Sequence, residues 1–301
     1  MIQFSIIVPH RDGLKYLPKL FSSIPKSENI EIIIVDNSII PITKEQIGIN
    51  REYDLLYSPP ERNAGGARNV GLKHAMGKWI LFLDADDYFA EGAFDLFFSK
   101  QNSDADIIYT CMGGIYLDTG EPSDRGDYYT QLVRSFLNGT KTEEDIRCGF
   151  ASPCCKMIRR ELISKYNIKF DEIVAGNDQY FSLVCGYYAN TIEAIDCITY
   201  IATVTQGSLT RRRDFAVIQA RLYAKLHCNE FLKLHGMAYR QQSVMFPFLD
   251  GKHLGLKAFY KFSLMIIHFK QNPFIGLSRW LSTYTKSKSI EKRESKYITR
   301  D

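Results

Sequence analysis

The sequence predicts an α/β domain with a doubly wound, mostly parallel sheet, followed by a C-terminal helical extension. Three observations carry that prediction. Short apolar runs at residues 4–8, 31–35, 53–57 and 79–83 are separated by stretches with helical spacing, the order that builds a parallel sheet with right-handed crossovers. The runs show little polar alternation, as expected of strands covered on both faces. Beyond Asp214 the composition turns helical with no clear strands, so residues 1–213 form one expected domain and 214–301 another.

The first run, Phe-Ser-Ile-Ile-Val, is expected to stop at Pro9. Tyr16, Leu17, Leu20, Phe21 and Ile24 then recur at helical spacing until Pro25 forbids continuation. The second run ends on Asp36, followed by Asn37 and Ser38. A short helix over 43–47 and a strand over 53–57 lead to Pro59-Pro60. Next comes Asn63-Ala-Gly-Gly-Ala-Arg-Asn-Val-Gly71, whose small residues allow close backbone approach at the start of a helix that Gly77 ends. Strands are expected over 106–111, 155–158 and 192–204, a turn at Asp118-Thr119-Gly120, and helices over 94–98, 128–137, 160–165 and 176–188.

The fourth strand leaves the sheet at three acids, Asp84, Asp86 and Asp87. Ligands of open α/β sheets bind outside the carboxyl ends of the strands. Clustered carboxylates repel one another unless a cation neutralises them, and hard oxygen ligands suit Mg²⁺ or Mn²⁺. A solvated loop with a helix cap is the plainer alternative.

Bulk composition narrows the classes. The 301 residues are 45% hydrophobic and 24% charged with net charge +4, values of a globular chain rather than a disordered one. The start lacks the features of a signal peptide, and no apolar run approaches the roughly 20 residues needed to cross a bilayer. Seven cysteines without zinc-ligand spacing fit reduced thiols in the cytoplasm.

Taken in order, residues 5–9, Asp36-Asn37-Ser38, Asn63 to Gly71, Asp84 to Asp87, and Asn177-Asp178 followed by Phe181 resemble the inverting family 2 glycosyltransferases of the Rossmann-like A-type fold. The resemblance covers residues 4–213. It implies a UDP-sugar donor, a divalent cation and a glycan or lipid-linked glycan acceptor in surface polysaccharide assembly. It also implies nucleotide-sugar contacts at Pro9, His10, Asp12, Asp36, Asn63, Arg68, Asp84 and Arg211, a metal at Asp86 and Asp84, and Asp178 as general base. Asp36 would accept from the base N–H of uracil, and Arg68 would face the base carbonyl or the phosphates. Asp178 could instead serve only the helix dipole, and Arg211 to Arg213 could be a solvated basic turn.

Three departures from the usual pattern are visible. Pro9-His10-Arg11-Asp12 stands where Val-Tyr-Asn is commoner, and His10 could pack on the nucleobase; Asn37 replaces an Asp; Asn177 replaces the Glu before the base. Gly276 stands where processive synthases carry the Gln of Gln-x-x-Arg-Trp, ahead of Arg279-Trp280, so transfer of a single sugar is expected.

Residues 251–290 contain no acid, while lysines alternate with aromatic residues. That interleaving suits the inner face of an anionic membrane, and equally a helical bundle with a basic outer face. No nucleic-acid module accompanies the charge. A sugar nucleotidyltransferase and a non-catalytic assembly partner are the competing classes; the first would want a basic Gly-rich loop where residues 10–14 offer Gly13 alone.

Overall fold

The computed structural model describes residues 1–204 and 212–275. The chain divides into two compact units, Met1–Arg211 and a second that begins at Arg212.

The first unit is an eight-stranded sheet with helices. In chain order its elements are β1 (Phe4–His10), α1 (Leu17–Ser22), β2 (Ile30–Asp36), α2 (Lys44–Ile47), β3 (Asp54–Tyr57), α3 (Asn63–His74), β4 (Trp79–Phe82), β5 (Tyr88–Phe89), α4 (Ala93–Lys100), β6 (Ile107–Tyr116), α5 (Asp127–Leu137), α6 (Glu143–Gly149), β7 (Lys156–Arg159), α7 (Arg160–Lys165), α8 (Asn177–Tyr188) and β8 (Ile192–Val204). The strand order is β3-β2-β1-β4-β7-β6-β8-β5. Strands β3, β2, β1 and β4 are mutually parallel, as are β6 and β8. The reversed members are β7, between β4 and β6, and β5 at the edge.

The apolar runs behave as expected of central strands: every residue of β1 and β4 is buried. Strand β1 does not stop at Pro9. It continues through His10, with Pro9 opposite Val35 and His10 opposite Asp36. Its pairing with β4 ends at Ile7 opposite Phe82, and Ile7 O accepts from Leu83 N, so the position two residues on turns its missing N–H toward a neighbour that has already left the sheet. That parting of β1 from β4 is the crevice where such sheets place ligands.

Helix α3 lies close against the sheet because Gly71 leaves no side chain between it and Ile7; a Cβ there would come within 2.5 Å of Ile7 Cγ2. The 118–120 turn forms, with Gly120 N donating to Tyr116 O and Ile115 bridging Pro122. Helix α6 and the two-residue β5 are absent from the sequence reading. The former is announced by a capping box, Thr142 to Asp145, and the latter is too short to carry a periodic signal.

The second unit contains α9 (Phe215–Leu234), α10 (Met245–Asp250) and α11 (Leu256–His268) around a core of Ile218, Leu222, Leu226, Val244, Ala258, Phe262 and Ile266. Asp214 caps α9 by accepting from Val217 N. No described helix is long and apolar enough to cross a membrane.

Candidate active site

The carboxyl ends of β1, β2, β4 and β8 bring polar residues to one edge of the sheet, and α3, α8 and the start of β7 complete the rim. At the β1–β2 end, Gly13 N donates to His10 Nε2 at 3.1 Å, which makes that nitrogen the acceptor and leaves Nδ1–H to donate to Asp36 Oδ1 at 2.9 Å. Ser38 Oγ donates to the same carboxylate oxygen at 2.7 Å and Ile42 N to Oδ2 at 3.0 Å. Burial pushes the Asp36 carboxyl up, but these hydrogen bonds, led by that from His10, outweigh it and hold the pKa below the usual range.

Asp36 and His10 are therefore occupied, with 1% exposure or less, and Pro9 is buried beside them. They anchor the loop carrying Asp12 and Ser38. Arg11 and Asp12 are the exposed groups of that loop; the Asp12 N–H donates to Ser38 Oγ and its φ is +52°.

The acid turn after β4 is pinned from β8. Tyr200 donates its hydroxyl to Asp87 Oδ2 at 2.6 Å and accepts from Asp84 N at 3.2 Å. Thr203 N donates to Asp87 Oδ1 at 2.6 Å, and Thr203 Oγ1 to Asp86 O at 2.9 Å. Both Asp87 oxygens accept a hydrogen bond, so that acid holds the turn. Asp84 and Asp86 remain at the rim with intermediate exposure. Burial, reinforced by the charge of Asp84, pushes Asp86 up, and Arg125 opposes the rise.

Arg68 joins the two halves of the rim. It is 6% exposed; one terminal nitrogen donates to Asp84 Oδ1 at 2.5 Å and the other to Asn177 Oδ1 at 2.8 Å. Its Nε is a buried donor with no partner among the described residues. The next residue, Asn69, bonds the backbone of Phe170 twice, Nδ2 donating to Phe170 O and Oδ1 accepting from Phe170 N. Phe170 stacks on Phe181 of α8 at 3.8 Å, and Phe82 meets both rings edge-on. Gly65 is required here: a Cβ on it would lie 2.0 Å from Asp171 O. The glycine-rich segment thus fastens the 170–172 loop and α8 to the sheet as well as placing Arg68. Asn63, with φ +55°, starts the helix and donates to Glu61 O.

Asp178 follows Asn177 in the first turn of α8. Burial pushes its carboxyl above the ordinary value, Arg68 pulls it down, and the charge of Asp84 pushes it up again. Asp84, Arg68 and Asp178 therefore share one electrostatic environment. Sequence reasoning missed Tyr200, Thr203, Arg125 and Lys156. Lys156 is 3% exposed, donates to Phe150 O at 2.7 Å, and has its pKa lowered by burial to about 8, with Asp178 among the groups raising it. Tyr129, stacked on Phe150 at 4.6 Å, is raised by burial and then by the field of Asp178. None of these residues sits at the carboxyl end of an early strand, where the sequence pattern directs attention. Arg211, Arg279 and Trp280 lie outside the described residues.

Among the described residues no group of three or more His, Cys, Asp or Glu side chains is arranged to hold a metal. The chemistry of Asp84 and Asp86 nevertheless fits a hard cation, provided that a bound diphosphate and water supply the remaining oxygens.

Residues 5–166 match the family described as glycosyl transferase family 2. The chain is 28% identical over 223 residues to the poly(ribitol-phosphate) beta-N-acetylglucosaminyltransferase TarS of Staphylococcus aureus, a match covering 69% of this chain and 36% of that protein. It is 30% identical over 185 residues to the minor teichoic acid biosynthesis protein GgaB of Bacillus subtilis (56% and 19%), and 23% identical over 204 residues to the putative glycosyltransferase EpsH of the same species (65% and 58%). The aligned part is thus about a third of TarS and less of GgaB. The crystal structure of S. aureus TarS 1-349 in complex with UDP superposes with TM-score 0.56 at 24% identity, covering 85% of this chain and 75% of that one. The same fragment with UDP-GlcNAc gives 0.54 at 23%, covering 77% and 70%. The fold is shared.

Proposed function

This chain belongs to glycosyl transferase family 2, and from that premise we propose that it is an inverting, non-processive glycosyltransferase moving one sugar from a UDP-sugar to a glycan or lipid-linked glycan acceptor in surface polysaccharide assembly. The observation that carries the reading is the Arg68 bridge: one guanidinium ties the donor-side acid Asp84 to Asn177, the neighbour of the candidate base. The action of TarS on poly(ribitol phosphate) and the part of GgaB in minor teichoic acid synthesis support an acceptor of the cell-surface polymer class.

In this reading the acceptor hydroxyl attacks the anomeric carbon from the face opposite the diphosphate, forming the new C–O bond as the sugar–phosphate bond breaks. Its proton passes to Asp178. A carboxylate raised by burial is the stronger proton acceptor, while Arg68 opposes the rise. A divalent cation held by Asp86 and Asp84 would supply charge neutralisation for the departing diphosphate. The unpartnered Arg68 Nε offers one more donor to that leaving group. Asp12 and Asn63 lie on the segments closest to a nucleotide seated in the β1–β4 crevice.

Asp178→Asn is the test. UDP and UDP-GlcNAc should still raise the melting temperature of the variant, since binding to the folded state must stabilise it. UDP release stimulated by a poly(ribitol phosphate) acceptor should fall by at least 10²-fold, the lower range of general-base effects. A variant that transfers at the wild-type rate would remove Asp178 from the mechanism. Stabilisation by GDP-sugars and not by UDP-sugars would overturn the donor assignment.

A further inference from the structure

Helix α11 carries two apolar arcs where a packed helix needs one. Ala258, Phe262 and Ile266 turn into the core of the second unit. On the other side Leu256 is 89% exposed, Tyr260 64%, Leu264 46% and Ile267 68%. At 3.6 residues per turn these four fall within an arc of about 80°. Scattered apolar residues are ordinary on a surface, but a continuous stripe along one helix marks a contact face. Lys257 and Lys261 lie along one edge of the stripe, and Lys270 follows the helix; all three are exposed, and residues 251–275 contain no Asp or Glu.

We propose that this face of α11 is an interfacial docking surface for an anionic bilayer. Its charge chooses the occupant. A second copy joined through the same face would bring more positive charge to a helix that carries no acid to meet it, whereas acidic headgroups complement its lysines. The helix has 13 residues, so it lies in the headgroup plane with Leu256, Leu264 and Ile267 in the acyl boundary and the lysine stems reaching up to phosphate. Docking is independent of the transfer reaction, needing neither donor nor Asp178.

The test is co-sedimentation of the full chain with vesicles of phosphatidylglycerol and phosphatidylcholine, against vesicles of phosphatidylcholine alone. The wild type is expected to bind the anionic vesicles and to be released by salt. Lys257→Gln/Lys261→Gln should weaken partitioning at least tenfold, given the attraction of each lysine to an acidic surface. Leu256→Ser/Ile267→Ser should weaken it by more, because two exposed aliphatic side chains lose their burial in the bilayer. Circular dichroism and the UDP-induced melting shift should match the wild type in both variants, which separates lost docking from lost folding. Three results would each overturn the proposal: no binding to anionic vesicles at low salt, equal binding by wild type and both variants, or a solution dimer that Leu256→Ser/Ile267→Ser converts to monomer.

Discussion

Tyr109 on β6 and Tyr200 on β8 are both buried, at 0% and 1% exposure, yet their hydroxyls stand in opposite situations. That of Tyr200 donates to the buried carboxylate of Asp87 and accepts the Asp84 N–H, whereas that of Tyr109 has no partner among the described residues. Replacing either by Phe removes one oxygen and leaves the ring, so cavity effects largely cancel between the two. For Tyr200→Phe the loss is a hydrogen bond to the buried Asp87 carboxyl, whose oxygen is left unsatisfied, plus a weaker amide contact, together on the order of 2–4 kcal/mol. At about 2–4 °C per kcal/mol for a unit of this size, the melting temperature should drop on the order of 5–15 °C. Tyr109→Phe should be neutral or slightly stabilising, since an unsatisfied buried hydroxyl is costly to keep. Urea denaturation at neutral pH, read by tryptophan fluorescence, measures both. Equal destabilisation by the two substitutions would refute the view that the acid turn is held in place from β8.

The rate of sugar transfer should fall on acidification at a pH above the ordinary carboxylate range, because burial raises Asp178 and the protonated acid cannot accept a proton; a pH profile of kcat shows this, and Arg68→Gln should move the acidic limb further upward by removing the cation that holds Asp178 down. Gly65→Ala places a methyl 2.0 Å from Asp171 O and should cost at least about 2 kcal/mol in denaturant melts, with transfer impaired more than UDP binding because the displaced loop leads into α8.

Much of the sheet was legible because its central strands are largely apolar runs, those of β2 and β4 closed by an acid. Asp84, Arg68 and Asp178 were legible as the ends of those runs or as members of a spaced set. Two kinds of information were not. Pairing direction leaves no mark in a four-residue strand such as β7, which reads the same forward and reversed. Occupancy leaves none either: Asp36 stands at a strand end like Asp84, and only the fold shows that His10, Ser38 and Ile42 bond its buried oxygens while Asp84 is partly exposed. Tyr200 and Lys156 were hidden inside strands, where an aromatic or a lysine stem reads as packing.

The reversal of β7 has a consequence for how this molecule can change. A strand running with its neighbours hands its final residues to the catalytic rim, but β7 enters the sheet there, so the rim receives Lys156 and the cysteines before it from an incoming segment. That segment follows α5 and α6, beside Tyr129 and Phe150, and its first sheet partners are Tyr109 and Ile108 on β6. Insertions or replacements over residues 150–155 would therefore reshape the rim around Lys156 while the β1–β2 hydrogen-bond cluster around Asp36 stayed as it is, so one side of the pocket can vary without disturbing the other.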